Sequence, residues 1–182
     1  MTQSEKPTLL MVSQEKAIVV VTGFGPFSQY LVNLSWQAAQ GLETLGLGED
    51  VIVYARELPV HYTNAQELIA HIWKTIKPKL AVHMGIAPGS KAVILEQCGN
   101  NQGYRQRDVC GVCPPGHWCV EGGQNILHSI IDMKTLTRHF KSLGWDVIYS
   151  RDAGFCVTLC ITTHCTLEGG NLSFSICPQG EP

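Results

Sequence analysis

Apolar positions along the chain alternate between two periods. Residues 17–22 (AIVVVT) form a β-branched run closed by Gly23, the pattern of a buried strand. After the loop GFGPFSQYLV, residues 33–45 carry helical spacing: Trp36, Ala39 and Leu42 share a face, Asn33 or Ser35 can cap the start, and Gly46 stops it. Strand character returns over 51–58. Residues 63–76 predict a second amphipathic helix, with Leu68, Ile69, Ile72, Trp73 and Ile76 on one side and Pro78 just beyond its end. Further strands are expected at 80–85 (LAVHMG), 92–96 (AVILE) and 145–149, and a third helix at 130–143, ended by Gly144. Between them, residues 98–123 are rich in Cys, Gly and Pro, have no usable periodicity and read as a long loop. Strands alternating with helices of about a dozen residues imply parallel pairing through crossover helices. The expected architecture is therefore a three-layer α/β/α domain around a mostly parallel sheet, with Val19, Val20, Val82 and Ile94 buried mid-strand. Reactive groups in such sheets sit in loops beyond the carboxyl ends of strands.

Composition narrows the class. Of 182 residues, 45% are hydrophobic and 15% charged, which excludes an intrinsically disordered chain. A net charge of −2 with no basic stripe argues against nucleic acid as a partner. The longest aliphatic run, at 17–21, is far too short to span a membrane, and the first sixteen residues lack a signal-peptide pattern. The expected address is the cytosol, where the eight cysteines are read as thiols rather than structural disulfides. Four of those eight fall within 155–182, a stretch with no Lys or Arg. The shift divides the chain into a flexible start (1–15), a conventional body (16–154) and an anomalous Cys- and Thr-rich tail (155–182).

Four segments could carry chemistry. The loop Thr22-Gly23-Phe24-Gly25-Pro26-Phe27 puts two aromatic rings at a strand's carboxyl end, as a core plug or as a pocket wall; no Gly-Lys-Ser/Thr follows to make it a phosphate loop. Glu96 ends a strand where its carboxylate is either solvated or placed to orient a histidine. Cys110-x2-Cys113-x5-Cys119, with Cys98 upstream and His117 inside, has the ligand types of a zinc site but lacks a second Cys-x2-Cys pair. In the tail, Cys156 and Cys160 follow Asp152-Ala153-Gly154 and are either inert or nucleophilic thiols. His164 is the one histidine there, and residues 158–163 make a poor helix for bringing it to Cys160.

Taken together, VVVTGFGPF, VNLSW, ELPVHY, LAVHMGI, LEQCGNNQGY, SIIDM and SRDAG, in that order, resemble the pyroglutamyl-peptidase I family of cysteine peptidases, most specifically its vertebrate-type members. The resemblance spans about residues 16–154. It implies an α/β/α fold and hydrolysis of an N-terminal pyroglutamate from peptides by a Cys-His-Glu triad, with no metal and no other cofactor. Glu96 would be the triad acid. Phe24 and Phe27 would sandwich the lactam ring, and Asn33 would hold their loop.

The tail departs from the family pattern. The family continues Asp-Ala-Gly with Arg-Tyr-x-Cys, which places the nucleophile at position 158, here a threonine between Cys156 and Cys160. The family's histidine segment matches Ile176-Cys177-Pro178 in a register that puts Ser175 at the histidine, and the family's long final helix is expected to be missing. Residues 155–182 look replaced, as by an alternative exon or a shifted frame. Three functions follow: a peptidase using Cys156 or Cys160 with His164, a pseudoenzyme that binds pyroglutamyl N-termini, or an inactive truncated form.

Overall fold

The computed structural model describes residues 15–28, 31–87, 90–153 and 174–177. Its elements run β1 (Ala17–Phe24), α1 (Leu34–Leu45), β2 (Val51–Leu58), α2 (Tyr62–Thr75), β3 (Leu80–Met84), β4 (Val93–Glu96), β5 (Cys98–Asn100), β6 (Ile126–His128), α3 (Met133–Ser142), β7 (Val147–Ser150) and β8 (Phe174–Cys177). Six strands form one sheet in the order β2-β1-β3-β8-β4-β7. Strands β2, β1, β3 and β8 are mutually parallel; β4 pairs antiparallel with β8, and β7, at the edge, pairs parallel with β4.

The register assigns each side chain to a face, because strand side chains alternate. One face carries Val19, Val21, Val53, Ala55 and Met84 against Trp36, Ala39 and Leu42 of α1. Farther along the same face, Leu95 and Val147 pack on Met133, Leu136 and Phe140 of α3. The opposite face buries Phe24, Leu58 and Ala81 beneath Ile69 and Trp73 of α2. These are the three layers read from the periodicity.

Val19 and Val20 are buried as expected, whereas Val82 and Ile94 are only partly buried. Val82 packs at the margin of the cluster under α1, and Ile94 at the margin of the cluster under α2, rather than within either. The third helix starts later than its periodicity suggests because the Asp132 carboxylate accepts the Thr135 amide at 3.0 Å and caps it at Met133.

The expected loop at 98–123 is more ordered than its composition indicates. Its first residues are β5, paired antiparallel with β6, and Pro115–His117 makes a 3-10 turn. Asn101, buried, holds it together: its side chain donates to the Val120 carbonyl and accepts the Val120 amide, each at 2.8 Å. Gln97 ties the region to the start of α3, donating to Ser129 and Ile131 carbonyls and accepting the Met133 amide.

Of the tail, 174–177 is a central strand. Cys156, Cys160 and His164 lie outside the described residues, as do 1–14 of the expected flexible start. Among the described residues no helix is long and apolar enough to cross a membrane.

Gly23 marks a close approach of β1 to α1. A Cβ there would fall on the Ser35 carbonyl and 2.5 Å from Trp36 Cα, both backbone atoms that cannot swing aside. Gly23→Ala should therefore separate β1 from α1 and cost about 1–3 kcal/mol or more in urea denaturation. An unchanged midpoint would show that the two elements can move apart freely.

Candidate active site

The carboxyl end of β1 and the start of α1 are tied by one short network. Asn33 caps α1: its Oδ1 accepts from the Ser35 amide at 3.1 Å and the Ser35 hydroxyl at 2.8 Å, while its Nδ2 donates to the Gly25 carbonyl at 3.1 Å. The Ser35 hydroxyl in turn accepts the Phe24 amide at 3.0 Å. Buried Asn33 thus fixes the backbone that carries both phenylalanines.

Phe24 and Phe27 line a cavity of about 120 Å³ with Pro59, Val60, His61 and Tyr62 on one wall and Gln106, Arg107 and Asp108 on another. The second wall is fastened to the first. The Tyr62 hydroxyl donates to the Gln106 carbonyl at 2.9 Å, and the Val109 amide to the Val60 carbonyl at 3.2 Å. Tyr104, fully buried, meets the Tyr62 ring edge-on at 5.8 Å. Burial pushes the Asp108 carboxyl up, but amides of Val112, Tyr62 and Cys110 and the nearby His61 outweigh it, so its pKa lies below the usual range. His61 Nε2 stands 3.8 Å from Asp108 Oδ2. These residues from 59–62 and 106–108 were not singled out in the sequence. ELPVHY was visible as a motif, but nothing in it indicates that a distant loop folds against it.

A polar row crosses the sheet behind this cavity. Thr22 of β1 pairs with His83 of β3, and His83 with position 175 of β8. Leu95 pairs with Ile176, so one further step of that antiparallel register sets Glu96 opposite position 175, and Glu96 pairs with Ser150 of β7. Thr22, His83 and Glu96 stand on the face that carries Phe24, which lies two residues beyond Thr22. Buried His83 shares a 2.6 Å hydrogen bond between its Nδ1 and the Thr22 hydroxyl. Nothing in LAVHMG sets this histidine apart from the apolar strand around it.

Glu96 is buried, not solvated at the strand's end. Loss of water pushes its pKa up to about 7; the Asp152 charge adds to the rise, while hydrogen bonds from Ser150 and the Asp152 backbone oppose it. Among the described residues its Oε2 has no hydrogen-bond partner. Because the folded pKa exceeds the ordinary 4.5, the native state holds the proton more tightly than the unfolded chain does. Stability linked to Glu96 is full below about pH 4.5 and lost as pH rises through 7. The difference between the wild type and Glu96→Gln in denaturant titrations should vary by roughly 2–3 kcal/mol across that interval. A pH-independent difference would mean that Glu96 titrates normally.

The cysteines of the long loop separate. Cys98 Sγ lies 3.1 Å from His128 Nδ1, Cys113 Sγ donates to the Arg105 and Gln106 carbonyls, and Cys119 is buried against Gln66. His117 Nδ1 faces the Tyr104 carbonyl. Among the described residues no three His, Cys, Asp or Glu side chains gather as metal ligands.

Fold and site together define a three-layer α/β protein with an aromatic cleft at the carboxyl end of its first strand and a buried carboxyl in the row behind it. The chain belongs to the pyroglutamyl peptidase family, whose model matches residues 17–167 and so runs past Gly154 into the tail. It is 41% identical over 175 residues to pyroglutamyl-peptidase 1 of Homo sapiens, covering 94% of this chain and 84% of the human protein. It is 44% identical over 115 residues to the human pyroglutamyl-peptidase 1-like protein, covering 62% and 59% of the two chains. Among solved structures, a mutant pyrrolidone carboxyl peptidase from Pyrococcus furiosus superposes with a TM-score of 0.80 at 27% identity, over 89% of this chain and 80% of that one.

Proposed function

We propose that this chain binds peptides carrying an N-terminal pyroglutamate, in the cytosol, and hydrolyses them far more slowly than a family member with a complete Cys-His-Glu triad. The cleft supports the binding half. A flat lactam needs apolar faces and a few polar contacts, and Phe24 and Phe27 beside Tyr62 and the Gln106–Asp108 wall offer both.

The observation that carries the catalytic half is the register at position 175. A histidine there would stand one strand from Glu96, about 5 Å between backbones, with Glu96 Oε2, which has no partner among the described residues, as its acceptor. This chain has Ser175. A serine cannot take a proton from a thiol at neutral pH or return one to the leaving amine. His83 is two strands from Glu96, roughly 10 Å away, beyond direct hydrogen-bond reach. The nucleophile is the second gap, since position 158 is threonine and a thiol would have to come from Cys156 or Cys160, with His164 as its base. The test is hydrolysis of a fluorogenic pyroglutamyl amide beside calorimetric binding of a non-hydrolysable pyroglutamyl ligand. Binding without turnover supports the reading; absence of binding removes it.

A further inference from the structure

We propose that Cys110 and Cys113 form a thiol–disulfide exchange site for small-molecule disulfides, and that its oxidation loosens the wall of the cleft. The proposal rests on the cleft being the pyroglutamyl pocket only for its effect on binding. Both cysteines are free thiols; Cys110 is exposed and Cys113 partly so. They bracket Gly111, whose φ of 78° lets the chain reverse between them. The Asp108 amide donates to the Val112 carbonyl at 2.9 Å and the Gly111 amide to the Asp108 carbonyl at 2.9 Å, so 108–112 is a closed loop with Cys110 at its tip and Cys113 at its exit.

Each cysteine is also attached to the cleft. Asp108, a wall residue, accepts the Cys110 amide at 2.9 Å and the Val112 amide at 3.0 Å on Oδ1, and the Tyr62 amide at 3.3 Å on Oδ2. The Cys113 thiol donates to the carbonyls of Arg105 at 3.3 Å and Gln106 at 3.4 Å, and Gln106 is a wall residue too. The Arg107 guanidinium holds the Gly111 carbonyl at 2.9 Å.

The chemistry balances with a disulfide such as oxidised glutathione. The Cys110 thiolate attacks one sulfur of the reagent; its S–S bond breaks and one thiol leaves with a proton. The Cys113 thiolate then attacks Cys110 Sγ in the mixed disulfide, forming the internal bond and releasing the second thiol. Two protein thiols are oxidised and one external disulfide is reduced to two thiols. The internal bond removes the Cys113 S–H donor from the Arg105 and Gln106 carbonyls. It also fixes the two Cα atoms at a separation of about 4.4–6.8 Å, across the loop whose Cys110 and Val112 amides Asp108 holds.

The full chain, and its Cys110→Ser and Cys113→Ser variants, are equilibrated with oxidised glutathione or with dithiothreitol. Disulfides are mapped by peptide mass spectrometry, and affinity for a pyroglutamyl amide and amide exchange at Cys110 and Val112 are measured. A Cys110–Cys113 bond, at least tenfold weaker binding, faster exchange at both amides, and reversal by dithiothreitol are expected, with no such response in either variant. Separate thiols or persistent mixed disulfides at these positions would overturn the proposal, as would an internal bond that leaves exchange unchanged. If the reduced chain binds no pyroglutamyl amide, the pocket reading fails, and the disulfide map and the exchange rates still decide this one.

Discussion

Thr158→Cys combined with Ser175→His should raise pyroglutamyl-amide hydrolysis well above that of the unmodified chain, while each substitution alone stays near background. The reason is geometric and cooperative. Position 175 lies between His83 and Glu96 in the sheet, so an imidazole there would stand one strand from a carboxyl whose pKa burial raises to about 7 and whose second oxygen has no partner among the described residues. A protonated imidazole beside Glu96 would favour the carboxylate and bring its pKa down. That downward shift gives a readout independent of turnover. Members of a triad act as a unit, and losing one costs on the order of 10⁴-fold or more, so on the proposed reading either substitution alone recovers little. Equal gains from Ser175→His alone and from the pair would show that position 158 does not hold the nucleophile.

Phe27→Ala should weaken binding of a pyroglutamyl ligand by about ten- to a hundredfold, the loss expected when one aromatic face worth about 1.5–3 kcal/mol is removed. Phe27 is the better target of the pair because it is only partly buried, whereas Phe24 belongs to the core under α2. Truncating Phe24 would confound binding with stability. Isothermal titration calorimetry on wild type and variant, with and without a chelator, checks the assignment. Chelator should change neither affinity. Equal affinity of wild type and Phe27→Ala would refute the pocket, and loss on chelation would return the loop cysteines to consideration as metal ligands.

The layers were legible in the sequence because their signals are local. The β-branched run at 17–22, the face formed by Trp36, Ala39 and Leu42, and the Asn33 cap each depend on residues within a turn or two of one another. Register is not local, and there the reading stopped. Nothing in LAVHMG or AVILE says that β8 enters between them, so the row Thr22, His83, 175, Glu96 became visible only with the sheet assembled. The order within 98–123 was hidden for a different reason. It is maintained by side-chain amides of Gln97 and Asn101 bonded to backbone, which leaves no hydrophobic period to detect. The same blindness concealed half the cleft, whose second wall is carried by that loop. Both phenylalanines and Glu96 could be named from motifs, yet whether they were plug or pocket, solvated or buried, depended on what the distant chain does.

The most direct measurement is the turnover of a fluorogenic pyroglutamyl amide by the purified, unmodified full chain beside human pyroglutamyl-peptidase 1, with Cys156→Ser and Cys160→Ser variants assayed in parallel. The account predicts a kcat/KM several orders of magnitude below the human enzyme, unchanged by either serine. Turnover comparable to the human enzyme, abolished by Cys156→Ser or Cys160→Ser, would contradict it and show that the tail has rebuilt a nucleophile in another register.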